Sequence, residues 1–168
     1  MRRMSSTNRG AIRNEHDFYA TPETAFEPML EPIYNLRLDV WEPACGDGRL
    51  VCWMNRIGIK ADGSDINAKI NPTNFLNDDT DHDCIVTNPP FSLAFEFCQH
   101  AVKHAPHVFM LLRLNFLASR KRKEWFLAHE PSALFVLSKR PDFTGQGGDS
   151  CDYAWFYWGD AYKGIFHL

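Results

Sequence analysis

The chain has 168 residues, 45% hydrophobic and 23% charged, which suits one globular domain and excludes a wholly disordered, collagen-like or coiled-coil protein. Its 18 basic and 21 acidic residues give a net charge of −3, so any contact with nucleic acid has to come from a local basic patch. No apolar run approaches the roughly 18 residues of a membrane span, and the basic, polar start Met1–Ser6 is not followed by the apolar stretch of a secretory signal. The 5 cysteines show no CxxC pairing, which argues against a disulfide framework and for a reducing cytoplasm.

Residues 1–15 place Arg2, Arg3, Arg9 and Arg13 among small polar residues and read as a flexible basic arm; residues 16–168 read as a single domain. Pro22, Pro28 and Pro32 bracket a short helix around Thr24–Leu30. Strands and helices then alternate, the pattern of an α/β domain with a mostly parallel sheet. Strands are predicted at Leu36–Trp41, Ile59–Ser64, Phe75-Leu76, Cys84–Thr87, Val108–Leu112, Ala133–Leu137 and Tyr153–Trp158, seven in all with the last antiparallel. Helices are predicted at Arg49–Ile57, stopped by Gly58, at about Leu93–His104, capped by Ser92, and at Arg120–His129.

Three loops at predicted strand ends carry chemistry. Trp41–Gly48 sits where a strand turns into a helix; Gly46 and Gly48 let the backbone approach a ligand, and the following helix start offers free N–H groups to an anionic end. Asp65 closes the next strand, 23 residues after Glu42, where an acid in an open α/β sheet commonly takes ribose hydroxyls. Asn88-Pro89-Pro90-Phe91 follows the apolar run Cys84–Thr87. Its prolines cannot extend the ladder, so the chain turns stiffly there. The Asn88 side-chain oxygen and the Pro89 carbonyl can then accept hydrogens from one amino group, with Phe91 as a flat face for a ring.

Taken in order, Asp17–Pro22, Glu42–Gly48, Ser64–Ile66, Asn74–Leu76 and Asn88–Phe91 resemble the motifs of S-adenosylmethionine-dependent DNA adenine-N(6) methyltransferases in the gamma order, and Leu112–Leu117 and Arg140–Gly147 resemble small phage and prophage members. The resemblance spans about residues 16–158. It implies a Rossmann-like class I methyltransferase fold and methyl transfer from S-adenosyl-L-methionine to the 6-amino group of a flipped-out adenine in DNA. Such an enzyme could mark phage DNA against host restriction. The resemblance places Phe18, Tyr19, Ala20, Thr21 and Pro22 over the methionine end of the cofactor, with Thr21 near its carboxylate. It places Glu42 near the amino group, with Ala44, Cys45, Gly46 and Gly48 forming the loop beneath, Asp65 on the ribose and Ile66 against the adenine. Asn74 stands where the family usually has Asp before Phe75; Asp78 is its rival for the cofactor's 6-amino group. Asn88 and Pro89 would hold the target amino group, Pro90 would stiffen the turn and Phe91 would stack on the base.

Phe143 is a second candidate for the flipped base, and Arg120, Lys121, Arg122, Lys123 and Arg140 are candidates for phosphate contacts. With no separate target-recognition domain, site recognition falls to loops, the basic arm or a dimer, and the protein is expected as a monomer or homodimer. An RNA adenine methyltransferase and a non-catalytic cofactor-binding relative are the rival readings. A protein-glutamine methyltransferase would use the same pocket, but such enzymes usually carry a helical N-terminal domain that has no counterpart here. No metal is expected: His100 and His104 have helical spacing, but no carboxylate or cysteine completes a set, and Pro106 breaks the helix before His107. Cys45 has no fixed base beside it and reads as a small filler rather than a nucleophile.

Overall fold

The computed structural model describes residues 19–69, 72–143, 145 and 147–168; the basic arm and Phe18 lie outside them. Seven strands form one sheet: β1 Val40–Glu42, β2 Ala61–Gly63, β3 Cys84–Thr87, β4 His107–Arg113, β5 Ala133–Val136, β6 Tyr153–Trp158 and β7 Gly164–His167. Their order is β2-β1-β3-β4-β6-β5-β7. Only β6 runs against its neighbours, β4 and β5; all other pairings are parallel. The sheet is therefore the mostly parallel one expected, but two of its members differ from the sequence reading.

Phe75-Leu76 is not a strand. Asn74 accepts the Leu76 N–H through Oδ1 at 3.1 Å and caps a single 3-10 turn, Phe75–Asn77. A local side-chain bond of this kind competes with the sheet ladder, and Phe75 is buried against Trp41 and Phe97 instead. The seventh strand is β7, which follows the strand taken as last and pairs in parallel with β5, so the antiparallel strand is the penultimate one. Gly164–His167 is exposed on both sides and lacks the buried run that marks a strand in sequence.

The helices are shorter than expected. Pro28 starts a 3-10 turn, Glu27–Met29, that separates α1 (Glu23–Phe26) from α2 (Leu30–Leu36). Arg37, at φ 55°, ends α2 and delays β1 to Val40. Helix α3 (Arg49–Arg56) stops before Gly58, at φ 89°, as its sequence predicts. Helix α4 begins at Ala94, not Leu93, after a 3-10 turn over Phe91–Leu93, with Leu93 rather than Ser92 at its N-cap position; it ends at His104. Helix α5 covers Lys123–Ala128, because Ser119–Arg122 forms a turn first. Among the described residues no helix is long and apolar enough to cross a membrane.

Alternation along the strands builds two cores. Phe109 and Leu111 of β4, with Tyr153, Trp155 and Tyr157 of β6, face α1, α2 and α3. Val108, Met110 and Leu112, with Ala154, Phe156 and Trp158, face α4 and α5. The fully buried Trp155 indole donates to the Ala25 carbonyl at 2.8 Å and packs on Phe26, pinning α1 to the sheet. Trp155→Phe leaves that carbonyl buried without its donor and is expected to lower unfolding stability by about 1–3 kcal/mol in urea titration, with secondary structure retained.

Candidate active site

Strands β2, β1, β3 and β4 are neighbours and parallel, so their carboxyl ends lie on one edge of the sheet. Glu42 closes β1, Asp65 lies two residues past β2, Asn88 directly follows β3 and Arg113 closes β4. Because β6 is antiparallel, its first residue, Tyr153, is paired with Arg113 on that same edge. Ligands of open α/β sheets bind along such an edge.

A cavity opens there. Glu42, Ala44, Cys45, Asp65, Ile66, Asn74 and Phe75 form one part of its wall; Tyr19, Ala20, Thr21, Asn88, Pro89, Pro90 and Phe91 form another. The loop after β1 is held open by two left-handed glycines, Gly46 (φ 53°) and Gly48 (φ 77°), which shape it without lining the cavity. Gly63 lets β2 pass beneath that loop: a Cβ there would lie 2.8 Å from the Cys45 Cβ. Asp65 braces the loop, accepting from the Gly46 N–H at 2.9 Å and the Asn67 N–H at 2.7 Å. Each of its oxygens keeps a further acceptor site.

Asn88 is the most constrained polar group. Its Nδ2 donates to the Tyr19 carbonyl and to Thr21 Oγ1, both at 3.0 Å. Its Oδ1 is buried and has no hydrogen-bond partner among the described residues. An amide with both hydrogens committed presents a pure acceptor, and Pro89, having no N–H, offers only a carbonyl beside it. Thr21 is buried, and Arg49, ion-paired to Asp47 at 2.6 Å, reaches the Thr21 carbonyl at 3.3 Å. The Tyr19–Thr21 segment is thus fastened to the loops after β1 and β3. Pro22 caps α1 outside the cavity wall.

Glu42 is fully buried. Its Oε1 accepts the Ala44 N–H at 3.2 Å, and its Oε2 has no partner among the described residues. Burial pushes its carboxyl up to about 8, only partly offset by the Ala44 N–H and by the nearby Thr87 hydroxyl, whose own geometry falls short of a hydrogen bond, while the Asp65 charge adds to the rise. Cys45 lines the same wall, and burial together with the Glu42 and Asp65 charges pushes its thiol up, the wrong direction for a nucleophile.

Asn74, not Asp78, stands in the cavity wall. The Asp78 carboxylate is taken by the Thr80 N–H and hydroxyl, which hold it below its usual range. Ile66 lines the cavity and is 58% exposed, an apolar side chain left uncovered at the mouth.

Beside Asn88 is an aromatic box. Phe91 is stacked by Tyr19 at 5.4 Å and met edge-on by Phe143 at 5.8 Å, with Tyr153 at 6.0 Å and the Arg113 guanidinium 4.9 Å from its centroid. The ring that the sequence offers to a base is therefore covered by Tyr19. Arg113 and Tyr153 were not singled out from sequence. Their signal is a lone arginine closing the apolar run of β4 and a tyrosine opening that of β6. Arg113 Nε donates to the Tyr153 hydroxyl at 2.9 Å, and that hydroxyl donates to Asp149 at 2.6 Å, so the box is braced by a polar chain. Burial and the Asp149 carboxylate push the Tyr153 phenol up.

The basic candidates do not gather at the cavity. Arg122 folds over Phe116, 4.0 Å from its centroid, and bonds the Phe116 carbonyl. Arg120 and Lys123 line a separate groove with Leu127 and Ile165, Lys121 is exposed, and Arg140 pairs with Asp152 at 2.8 Å. The histidines expected to stay without a metal partner are also rearranged: His107 binds the Tyr157 hydroxyl, whereas Asp79 comes from the loop before β3 to complete a group with His100 and His104.

The architecture is that of class I methyltransferases, a Rossmann-like α/β fold with a seven-stranded sheet. A provisionally assigned class I S-adenosylmethionine-dependent methyltransferase from Listeria monocytogenes superposes with a TM-score of 0.65 at 13% identity over 94% of this chain and 68% of that one. A provisionally assigned RNA methyltransferase from Pyrococcus horikoshii gives 0.69 at 13% identity, over 94% and 93%. The methyltransferase subunit of a type I restriction-modification system from Streptococcus thermophilus gives 0.65 at 13%, over 89% of this chain but only 46% of that one. No protein-family model and no curated protein matches the sequence.

Glu42 supplies a test of the cavity's electrostatics. Its folded value near 8 lies above the usual 4.5, so the folded protein binds more protons between those values than the unfolded chain does. The stability tied to the neutral carboxyl is complete below about pH 4.5 and is lost as pH rises through about 8, on the order of 5 kcal/mol in total. Thermal melts from pH 5 to 8.5 should show Tm falling with pH in the wild type and a flatter profile in Glu42→Gln.

Proposed function

We propose that the chain transfers a methyl group from S-adenosylmethionine to the exocyclic 6-amino group of adenine in DNA. The observation that carries this reading is the Asn88 amide, with both hydrogens bound by Tyr19 and Thr21 and its buried oxygen free to accept.

The cavity fits the cofactor. The unpartnered Glu42 Oε2 suits the ammonium of a methionine end, and that cation would draw the carboxyl to its ionised form. Asp65 has acceptor sites left for ribose hydroxyls, and Ile66, Asn74 and Phe75 offer an apolar slot with one amide for the adenine. When bound, S-adenosylmethionine supplies an electrophilic methyl group on its sulfonium.

The chain's own residues prepare the target. An adenine amino nitrogen is a poor nucleophile because its lone pair is delocalised into the ring. Asn88 Oδ1 and the Pro89 carbonyl accept its two hydrogens and favour a more tetrahedral nitrogen, whose lone pair would form the new bond to carbon as the carbon–sulfur bond breaks; one of the two hydrogens would then leave as a proton to water. Removing one such preorganised group typically costs about 3–4 kcal/mol of barrier lowering. The base leaves the duplex stack to reach them, at a cost of a few kcal/mol, and stacking on Phe91 offsets about 1–3 kcal/mol. Because Tyr19 covers Phe91, the incoming base takes the place of the Tyr19 ring, with Phe143 closing the slot edge-on. Arg120, Lys121 and Lys123, exposed, are the phosphate contacts in this reading, alongside the N-terminal arginines, whereas Arg122 is held on Phe116 and Arg140 by its ion pair with Asp152. Residues 16–168 then act as one catalytic domain, in a soluble cytoplasmic enzyme.

The restriction-modification neighbour supports DNA as the substrate. The Pyrococcus horikoshii neighbour, of nearly the same extent as this chain, favours RNA as the second reading. Incubation with methyl-labelled cofactor and either duplex DNA or RNA, followed by digestion to nucleosides, decides between them. Label is expected in N6-methyldeoxyadenosine; label confined to the RNA nucleoside would transfer the reading to RNA, and no label in either would remove it. Asn88→Ala is expected to lower kcat by at least about 10²-fold, with a smaller loss of cofactor affinity by calorimetry, because Tyr19 and Thr21 lose their tether while the Glu42 and Asp65 end of the cavity keeps its own bonds.

A further inference from the structure

We propose that His100, His104 and Asp79 form a binding site for a divalent transition-metal ion of the zinc class, outside the cavity assigned to methyl transfer. His100 and His104 are one helical turn apart on α4, with ring centroids 4.5 Å apart. Asp79 belongs to the loop between the Phe75–Asn77 turn and β3. One nitrogen from each ring and one Asp79 oxygen lie within 4.8 Å of one another. None of the three lines the cavity described above.

Ligand type and surroundings fit such an ion. Two imidazoles and a carboxylate suit a borderline cation, with water completing four-coordination, whereas magnesium and calcium prefer oxygen alone. Metal-bound histidines usually give their other ring nitrogen to a carbonyl or carboxylate, which fixes ring orientation. Both rings have such partners here. His100 Nε2 lies 2.8 Å from the Asp78 carbonyl, and His104 Nδ1 lies 3.3 Å from Asp81 while its Nε2 is turned toward Asp79 at 3.8 Å. His82, nearby in sequence, is not a member, because its Nε2 meets the Thr80 hydroxyl and its ring stacks on Trp41.

Tetrahedral ligands at zinc distances stand about 3.3 Å apart, so the group has to close slightly around the ion. Asp79, 89% exposed, is the member free to move, while His104, at 16%, is held by its neighbours. The ion would join the loop before β3 to α4. His100 also meets Phe75 edge-on at 4.8 Å, which sets the site behind the adenine end of the cavity wall.

Calorimetric titration of the full chain with zinc chloride in a non-chelating buffer tests the site. One saturable equivalent is expected, weakened at least about tenfold in Asp79→Asn and in His104→Gln and unchanged in the control His167→Gln. Asp79→Asn alters an exposed side chain and leaves folding aside; melting curves recorded without metal monitor His104→Gln. Cobalt in place of zinc should give visible bands that both variants lose. Wild-type affinity retained in Asp79→Asn, or no saturable uptake by the wild type, would overturn the proposal, whatever the outcome of the methyl-transfer assays.

Discussion

The arrangement of the candidate site depends on one side-chain amide. Asn88 leaves a buried strand at a proline pair, and its NH2 is bound to two atoms of a segment almost 70 residues earlier in the chain. Those bonds draw Tyr19–Thr21 into the cavity wall and orient the amide oxygen away from them. A serine or leucine at position 88 could fill the space without providing two donors and one acceptor at fixed angles. Turn rigidity, cavity closure and acceptor orientation thus come from the same group.

The second constraint is electrostatic. Glu42 ends a three-residue strand whose members are all buried, so its carboxyl is removed from water by the fold itself. A neutral carboxyl is the stable form of the isolated protein near neutral pH, and a cation beside Oε2 reverses that preference. In the proposed reaction, cofactor binding and Glu42 ionisation are therefore coupled, since the carboxyl desolvated by folding recovers its charge only with a positive partner. Asp65, less buried and already accepting two N–H groups, sits across the same loop and opposes a second negative charge there.

Much of this was legible in the sequence, for identifiable reasons. Glu42, Asp65 and Asn88 each follow a strongly apolar or strand-like run, and three such ends 23 residues apart converge once the strands pair in parallel. Phe143 was legible only as a candidate, and packing brings it against Phe91. What escaped depends on pairing across long separations. Arg113 reaches the site as the last residue of β4, and Tyr153 joins it through cross-strand pairing with Arg113; the antiparallel run of β6 was expected, but that register is one no local pattern encodes. The exposed β7 lacks hydrophobic alternation, and Asn74 diverts Phe75 into a turn through a bond that outcompetes a two-residue ladder. Asp79 escaped as a partner of His100 and His104 because it lies 21 residues before His100, a separation closed only when the loop before β3 packs on α4.

The aromatic box ties these elements to one another. Tyr19 is stacked on Phe91 while its own carbonyl is held by Asn88. Any planar group taking the Tyr19 ring's place on Phe91 must turn that ring about its side-chain torsions or lengthen the backbone bond to Asn88. The first route keeps the amide oriented and loses only stacking, worth about 0.5–1.5 kcal/mol beyond area burial for an aromatic pair; the second would free the amide to rotate and discard the acceptor the target needs. The cheaper path is also the one that preserves the site. Phe91 meanwhile keeps Phe143, Tyr153 and the Arg113 guanidinium as fixed neighbours, so the slot holds its shape as its occupant changes. In the proposed reaction Tyr19 therefore stands in for the flipped base, filling an apolar slot that would otherwise face water and giving way to a ring of similar size.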